Sequence, residues 1–320
     1  MRLALIGYGN VGRAFARLLD RKRMAYPFRI VGVTTLRHGS VFDQRGLPLE
    51  PKFGPAVEPI GEFLDRARPE VVIEITTLNP ATGEPAISHI RAAFERSQHV
   101  ITANKGPIAH AYAALREEAR RAGVEFRFES TVMDGAPVFN MVRHALPGAK
   151  IRGFSGVLNS TTNVVLEAMR AGRTLEEGIE EARRIGVAEA DASFDIDGWD
   201  AAAKTAALAN VLLDAGITPL DVERRGIGNL TPERMLGLKE QGKTVRLISR
   251  ARVIPSGPRL RVRAEVIPET DMFATVHGTS NLLLFETDLM GTVGSVEINP
   301  GVEQTAYGLF SDLVDVAKTL

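Results

Sequence analysis

Residues 2–12 read Arg2-Leu3-Ala4-Leu5-Ile6-Gly7-Tyr8-Gly9-Asn10-Val11-Gly12, and the fold turns on how this stretch changes character at Gly7. Arg2 to Ile6 is a short apolar run that stops at a glycine, the mark of a buried strand. From Gly12 to Leu19 the apolar residues recur at helical spacing instead. Three glycines in the spacing G-x-G-x-x-G occupy the junction. Gly7 permits the tight turn, Gly9 lets the backbone approach a pyrophosphate with no Cβ in the way, and Gly12 allows the helix to lie close on the strand. Gly7, Gly9, Asn10, Val11 and Gly12 are therefore candidate dinucleotide-binding residues.

Outward from this unit the same alternation continues to about residue 130. Segments 29–34, 70–75, 99–102 and 124–128 read as strands, and 83–95 and 107–122 place apolar residues on one helical face. Strand and helix in alternation predict an α/β fold, a Rossmann-type doubly wound parallel sheet, with ligands beyond the carboxyl ends of its strands. Polar residues gather at those ends: Thr76 and Thr77, then Asn104 and Lys105, then Glu129. The second strand ends in Thr34-Thr35-Leu36-Arg37-His38, with no carboxylate to take a ribose 2′-hydroxyl. A 2′-phosphate is tolerated beside Arg37, so NADP is favoured over NAD.

After residue 130 the pattern becomes an α+β mixture that predicts a second domain over 131–302. Strands are expected at 150–158, 244–254, 260–267 and 282–288, and helices at 161–171, 175–185 and 200–213. A last helix is expected at about 305–316, with Asp312 and Asp315 on its polar side; the segment 303–320 completes the first domain. Within 200–213, Lys204 shares a face with Leu208, Val211 and Leu212. An inward lysine is costly unless paired or functional, and Asp200 lies one turn earlier. Two readings stand: an i,i+4 ion pair, or a lysine set for proton transfer. The preceding stretch holds Glu189, Asp191, Asp195, Asp197 and Asp200, acids suited to a substrate with an ammonium and a hydroxyl group.

Composition narrows the function classes. The 320 residues carry 39 Lys+Arg against 39 Asp+Glu with 6% aromatics, which gives neither a basic stripe nor a stacking platform for nucleic acid. The absence of cysteine excludes disulfides, thiolate metal sites and cysteine nucleophiles, and favours the cytoplasm. No apolar run approaches the roughly 18 residues a membrane span needs. Gly153-Phe154-Ser155-Gly156-Val157 misses the hydrolase G-x-S-x-G spacing, and the six histidines form no ligand cluster.

Four further stretches carry a resemblance to the homoserine dehydrogenase family over nearly the whole chain: Thr82 to Ala86, Val100 to Pro107, Gly156 to Asn163, and Ala188-Glu189 through Asp195 to Lys204. The resemblance implies NAD(P)-dependent interconversion of L-homoserine and L-aspartate 4-semialdehyde, in the biosynthesis of threonine, methionine and isoleucine. It implies Lys204 and Lys105 at the reacting centre, with Lys204 moving the proton at the C4 oxygen. Thr161, Glu189, Asp195 and Asp200 match substrate-binding positions, Glu189 toward the amino group and Asp195 toward the hydroxyl. Thr77 and Asn104 match nicotinamide neighbours. Glu129, with carbonyls near Val132, Asp134 and Ala136, matches a monovalent-cation (Na+ or K+) site found in some members. A second, catalytic and dimer-forming α+β domain and a homodimer are implied too, the stretch 260–288 extending a sheet across a two-fold axis. Departures from the family pattern fall at Ser160, at Met133-Asp134 and at Glu303, whose charge opposes a cofactor phosphate. An end at Leu320 leaves no room for the regulatory ACT domain of longer relatives, so threonine feedback through one is not expected. The rival readings are another small amino-acid dehydrogenase, such as an aspartate dehydrogenase, and a dinucleotide-binding module without catalysis.

Overall fold

Short β-branched runs separated by amphipathic helices leave little freedom in how the first part of the chain can fold. The computed structural model describes residues 1–319; Leu320, the end of the expected 303–320 segment, lies outside the described residues. The chain forms two compact units, Met1–Ala145 with Gly301–Leu320, and Leu146–Pro300.

In the first unit the order is β1 (Arg2–Ile6), α1 (Asn10–Lys22), β2 (Arg29–Thr35), β3 (Gly39–Phe42), α2 (Ile60–Ala67), β4 (Val71–Glu74), α3 (Ala86–Phe94), β5 (His99–Thr102), α4 (Lys105–Ala122) and β6 (Phe126–Arg127). They build one sheet in the order β3-β2-β1-β4-β5-β6. Every neighbouring pair is parallel except β2 with β3, which form an antiparallel hairpin. The chain leaves β1 toward β2 and later resumes on its other side at β4, so the strand order reverses between β1 and β4, where a doubly wound sheet opens its binding crevice. The sequence reading did not foresee β3 or α2. Both are short, and they lie in a stretch interrupted by Pro48, Pro51, Pro55 and Pro59, which hides periodicity.

The second unit contains β7 (Ile151–Val157), α5 (Ser160–Arg170), α6 (Leu175–Arg184), α7 (Ser193–Ile196), α8 (Trp199–Leu212), β8 (Glu223–Arg225), α9 (Pro232–Glu240), β9 (Lys243–Ile254), β10 (Gly257–Pro268), β11 (Asn281–Thr287) and β12 (Thr292–Glu297). Its sheet runs β12-β11-β7-β9-β10-β8, antiparallel throughout apart from β8 against β10. Val157, Ile248, Phe273 and Leu282 belong to its core. The alanines of α8, all buried from Ala201 to Ala203 and from Ala206 to Ala207, let this helix lie close to β9 and β10. Strand β11 is flanked on both edges by β7 and β12, and β8 covers Arg261 to Arg263 of β10. Of the stretch 260–288 expected to extend a sheet, only the rest of β10 therefore presents an edge.

A final helix, α10 (Val302–Thr319), belongs to the first unit and is longer at both ends than the 305–316 expected. Leu309, Leu313 and Val316 enter the same core as Leu3, Leu5, Phe15, Ile73 and Ile101. Asp312, expected on the polar side, is instead 1% exposed. Its carboxylate accepts the Glu129 amide at 2.7 Å and the Asn140 side-chain amide at 3.2 Å. Burial, with Glu129 beside it, pushes this carboxyl up to about 7. The physical reason is that α10 is covered on more than one face, by α1, by β5 and by the segment that follows β6. Asp315 is largely buried too, paired with Arg127 at 3.1 Å and His144 at 3.4 Å.

That following segment, residues 131–145, was expected with the second domain but packs within the first unit. The Ser130 hydroxyl donates to Thr305 O and the Thr305 hydroxyl to Asp134 Oδ1, both at 2.8 Å. Approach is so close at Gly135 that a Cβ there would stand 2.1 Å from Gln304 O.

Candidate active site

The first unit supplies a dinucleotide cradle. Gly7 adopts φ +105°, and a Cβ on it would meet Ile75 O at 2.5 Å, because the loops after β1 and β4 touch at the reversal of strand order. Its amide donates to Thr34 O at 2.8 Å. A Cβ on Gly12 would press on Ile75 Cδ1 at 3.1 Å, the helix-on-strand contact anticipated for it. Gly9 differs. Its backbone is extended, and a Cβ there would meet no protein atom within 4 Å. The protein's own packing does not call for glycine at this position, whereas a ligand lying against the backbone does. Gly9 is the N-cap of α1 and offers no side-chain cap, which leaves the first amides of that helix to an anion. The residues thus fit a bound pyrophosphate. Asn10 Oδ1 accepts from Arg13 at 3.0 Å, and Val11 packs against the core.

At the end of β2, Leu36, Arg37 and His38 are exposed, with no acid among residues 34–38. Glu303 forms ion pairs with Arg17 at 3.1 Å and Arg21 at 3.5 Å, so the charge expected to oppose a phosphate is matched by two guanidinium groups.

Beyond β4 and β5 lies a network the sequence reading missed. Glu74 is fully buried, and its carboxylate takes the Thr76 amide at 3.0 Å, the Thr76 hydroxyl, and the Thr102 hydroxyl at 2.9 Å. Asn104 donates from its side chain to Thr76 O at 3.3 Å while its Oδ1 accepts the Gly106 amide at 3.0 Å, capping α4. Thr76 and Asn104 therefore brace the loops themselves, and Thr77 is the exposed member. Lys105 opens α4, two residues before the Pro107 start expected from sequence. An acid within the run Val71-Val72-Ile73-Glu74-Ile75 was the available signal, since a carboxylate does not enter such a strand without donors to meet it.

The second unit gathers Lys204, Asp200, Asp195 and Thr161. Lys204 and Asp200 lie one turn apart on α8, Nζ to Oδ2 at 3.4 Å, with side chains 17% and 11% exposed. The Lys204 ammonium also donates to Leu158 O at 2.6 Å. Asn159, unremarked in the sequence, donates to Asp195 Oδ1 at 2.7 Å and to Asp200 Oδ2 at 2.9 Å. Burial raises the Asp195 carboxyl above its usual range and Asp200 raises it further, against hydrogen bonds from Asn159 and Thr161 and the charge of Lys204. The single proton of the Thr161 hydroxyl has a second acceptor in Val187 O at 2.9 Å. Val187 begins the exposed loop that carries Glu189, which Arg183 braces through Glu189 O at 3.3 Å and Ala190 O at 2.6 Å. Ser160, the departure in the motif, donates its hydroxyl to Thr279 O at 2.9 Å.

The residues around Glu129 fit a cation poorly. Its carboxylate already accepts the amides of Val138, Phe139 at 2.9 Å and Asn140 at 2.7 Å, and the Asp134 carboxylate is turned to Thr305. Burial raises the Glu129 carboxyl, opposed mainly by those three amides. Among the described residues no group of three or more His, Cys, Asp or Glu is arranged for a metal ion.

Residues 7–129 match the family model of the homoserine dehydrogenase NAD binding domain, and residues 137–314 match that of homoserine dehydrogenase. The chain is 34% identical over 339 residues to the NAD(+)-dependent homoserine dehydrogenase of Pseudomonas canavaninivorans, covering 99% of this chain and 96% of that one. It is 35% identical over 337 residues to the homoserine dehydrogenase of Methanocaldococcus jannaschii, covering 99% and 98%. A solved hyperthermophilic archaeal homoserine dehydrogenase in complex with NADPH matches with a TM-score of 0.84 at 25% identity, covering 100% of this chain and 98% of that one.

The two glycines predict opposite phenotypes. Gly9→Ala leaves the melting temperature unchanged and weakens dinucleotide binding by about ten-fold or more, as measured by fluorescence titration. Gly7→Ala lowers stability by at least about 1 kcal/mol, since alanine resists that backbone conformation. A Gly9→Ala protein that melts early but binds normally would refute the cradle.

Proposed function

The chain belongs to the homoserine dehydrogenase family, an NAD(P)-dependent oxidoreductase of amino-acid biosynthesis that interconverts L-homoserine and L-aspartate 4-semialdehyde, and from this premise we propose that Lys204 moves the proton at the C4 oxygen. The observation that carries the assignment is the part-buried Lys204 ammonium held between Leu158 O and Asp200. The alternative dehydrogenases and the non-catalytic module are not favoured by the family match.

When bound, the cofactor supplies hydride exchange between its nicotinamide C4 and the substrate carbon. The protein supplies position and a proton route. In aldehyde reduction Lys204 gives a proton to the alkoxide forming at C4; in alcohol oxidation it takes that proton back. A positioned group of this kind contributes roughly 10² to 10⁴-fold. Asp200 holds the ammonium in place. Asp195 and Thr161 receive the substrate hydroxyl, and Glu189 receives its amino group. Gly7 to Gly12 at the α1 N-terminus would hold the pyrophosphate of the cofactor, and Thr76, Thr77 and Asn104 would hold its nicotinamide end.

NADP is the favoured cofactor on the strength of Arg37 and the acid-free end of β2, although the Pseudomonas relative is named for NAD(+). No step involves a cation at Glu129. A homodimer is supported by Val253, Ile254 and Val266, apolar residues of β9 and β10 left exposed, and a cytoplasmic location by the lack of cysteine. Among the described residues no helix is long and apolar enough to cross a membrane.

Three outcomes follow. Lys204→Ala lowers kcat for homoserine oxidation by about 10² to 10⁴-fold with unchanged dinucleotide affinity; normal turnover removes Lys204 from the chemistry. Homoserine oxidation run side by side with the two cofactors gives the higher kcat/KM with NADP, and Arg37→Ala reduces that margin. Light scattering returns the mass of two chains, while a monomer would exclude the dimer.

A further inference from the structure

Asn159 is 4% exposed, sits where β7 gives way to α5, and has every side-chain hydrogen-bonding group engaged in a way that fixes the orientation of its amide. Its Oδ1 accepts the Thr162 amide at 2.8 Å, the N-cap bond of α5. This turns the NH2 group the other way, and its two hydrogens meet Asp195 Oδ1 at 2.7 Å and Asp200 Oδ2 at 2.9 Å. The residue before it contributes as well, because Leu158 O accepts the Lys204 ammonium. Two consecutive residues at one strand end thus hold three charged groups. The backbone that carries them is set by strand pairing up to Val157 and by the Thr162 hydroxyl on Asn159 O at 3.0 Å.

We infer that Asn159 is a positioning residue of the reaction, its one amide nitrogen holding the carboxylates of Asp195 and Asp200 in the arrangement that serves Lys204 and the substrate. The inference rests on the roles given to those residues above. Two buried carboxylates side by side repel, and Asp200 drives Asp195 toward its protonated form. A neutral double donor relieves that repulsion without adding a cation that would compete with Lys204 for Asp200. The groups facing Asp195 are Asp200 and Lys204 from α8 and Asn159 and Thr161 from the start of α5. Of these, Asn159, Thr161 and Lys204 favour its ionised form and Asp200 opposes it.

Serine separates the two things Asn159 does, since it caps a helix about as well as asparagine but has a single hydroxyl proton. Asn159→Ser is expected to melt near the wild-type temperature and to bind the dinucleotide normally. Its kcat/KM for homoserine falls about 10- to 100-fold, the scale of lost hydrogen bonds to charged groups. The acid limb of its pH profile moves to higher pH, because Asp195 loses a bond that favours ionisation. Asn159→Asp, which caps but brings a third carboxylate and no donor, loses more activity and moves the limb further. Wild-type kcat/KM with an unmoved acid limb in Asn159→Ser would overturn the inference, as would a loss matched entirely by a fall in melting temperature. Asp195→Asn, measured in parallel, tests the premise separately: wild-type homoserine turnover there withdraws the role of Asp195 itself and the bridge with it.

Discussion

Burying a lysine beside two carboxylates is the constraint on which the second unit is arranged. Each of the three groups is costly alone, and together they are tolerable only if every remaining lone pair and proton finds a partner. The structure meets the requirement with backbone and amide groups, using Leu158 O for Lys204 and the Asn159 amide for Asp195 and Asp200. Around them the helix is made of alanine, so little but backbone stands between α8 and the sheet. A short side chain at each turn keeps the helix axis close, and closeness is what brings Lys204 and Asp200 within reach of the end of β7.

The first unit solves a related problem with the same type of residue. Asn104 caps α4 through its Oδ1 and reaches back with its amide to Thr76 O; Asn159 caps α5 and reaches to two acids. In each unit an asparagine at a strand-to-helix junction serves the helix with its oxygen and the site with its nitrogen. Beneath Asn104, Glu74 gives the loops beyond β4 and β5 a common anchor, a buried carboxylate that takes donors from Thr76 after β4 and from Thr102 at the end of β5, whose hydroxyl in turn accepts the Asn104 amide.

The strands and helices of strong periodicity were legible in the sequence, β1, β5 and the long α4 and α8 most clearly. What escaped was short or punctuated: β3 and α2 among prolines, and β8, β12 and α9 in the second unit. Asp312 was misplaced because helical spacing shows which residues share a face but not how many faces are covered. The glycine loop and Lys204 with Asp200 could be read from spacing, since one helix or one turn fixes their geometry. Asn159 and Glu74 could not, because their significance lies in partners 28 to 41 residues away that only folding brings near, such as Asp195, Asp200 and Thr102. Even so, an asparagine just after an apolar strand and ahead of a helix carried a local hint of capping.

The helix α10 enters a core that β1, some 300 residues earlier in the sequence, helps to build. Leu309, Leu313 and Val316 lie with Leu3 and Leu5, although residues 146–300 form a separate contiguous unit. On the ribosome, then, order of synthesis and order of completion diverge. The middle of the polypeptide has all its own parts as soon as residue 300 emerges, while the opening segment must wait with an apolar flank uncovered until residues 302–319 follow. Of the two units, the one begun earlier is completed later, and its exposed surface during that interval is where chaperones have the most to protect.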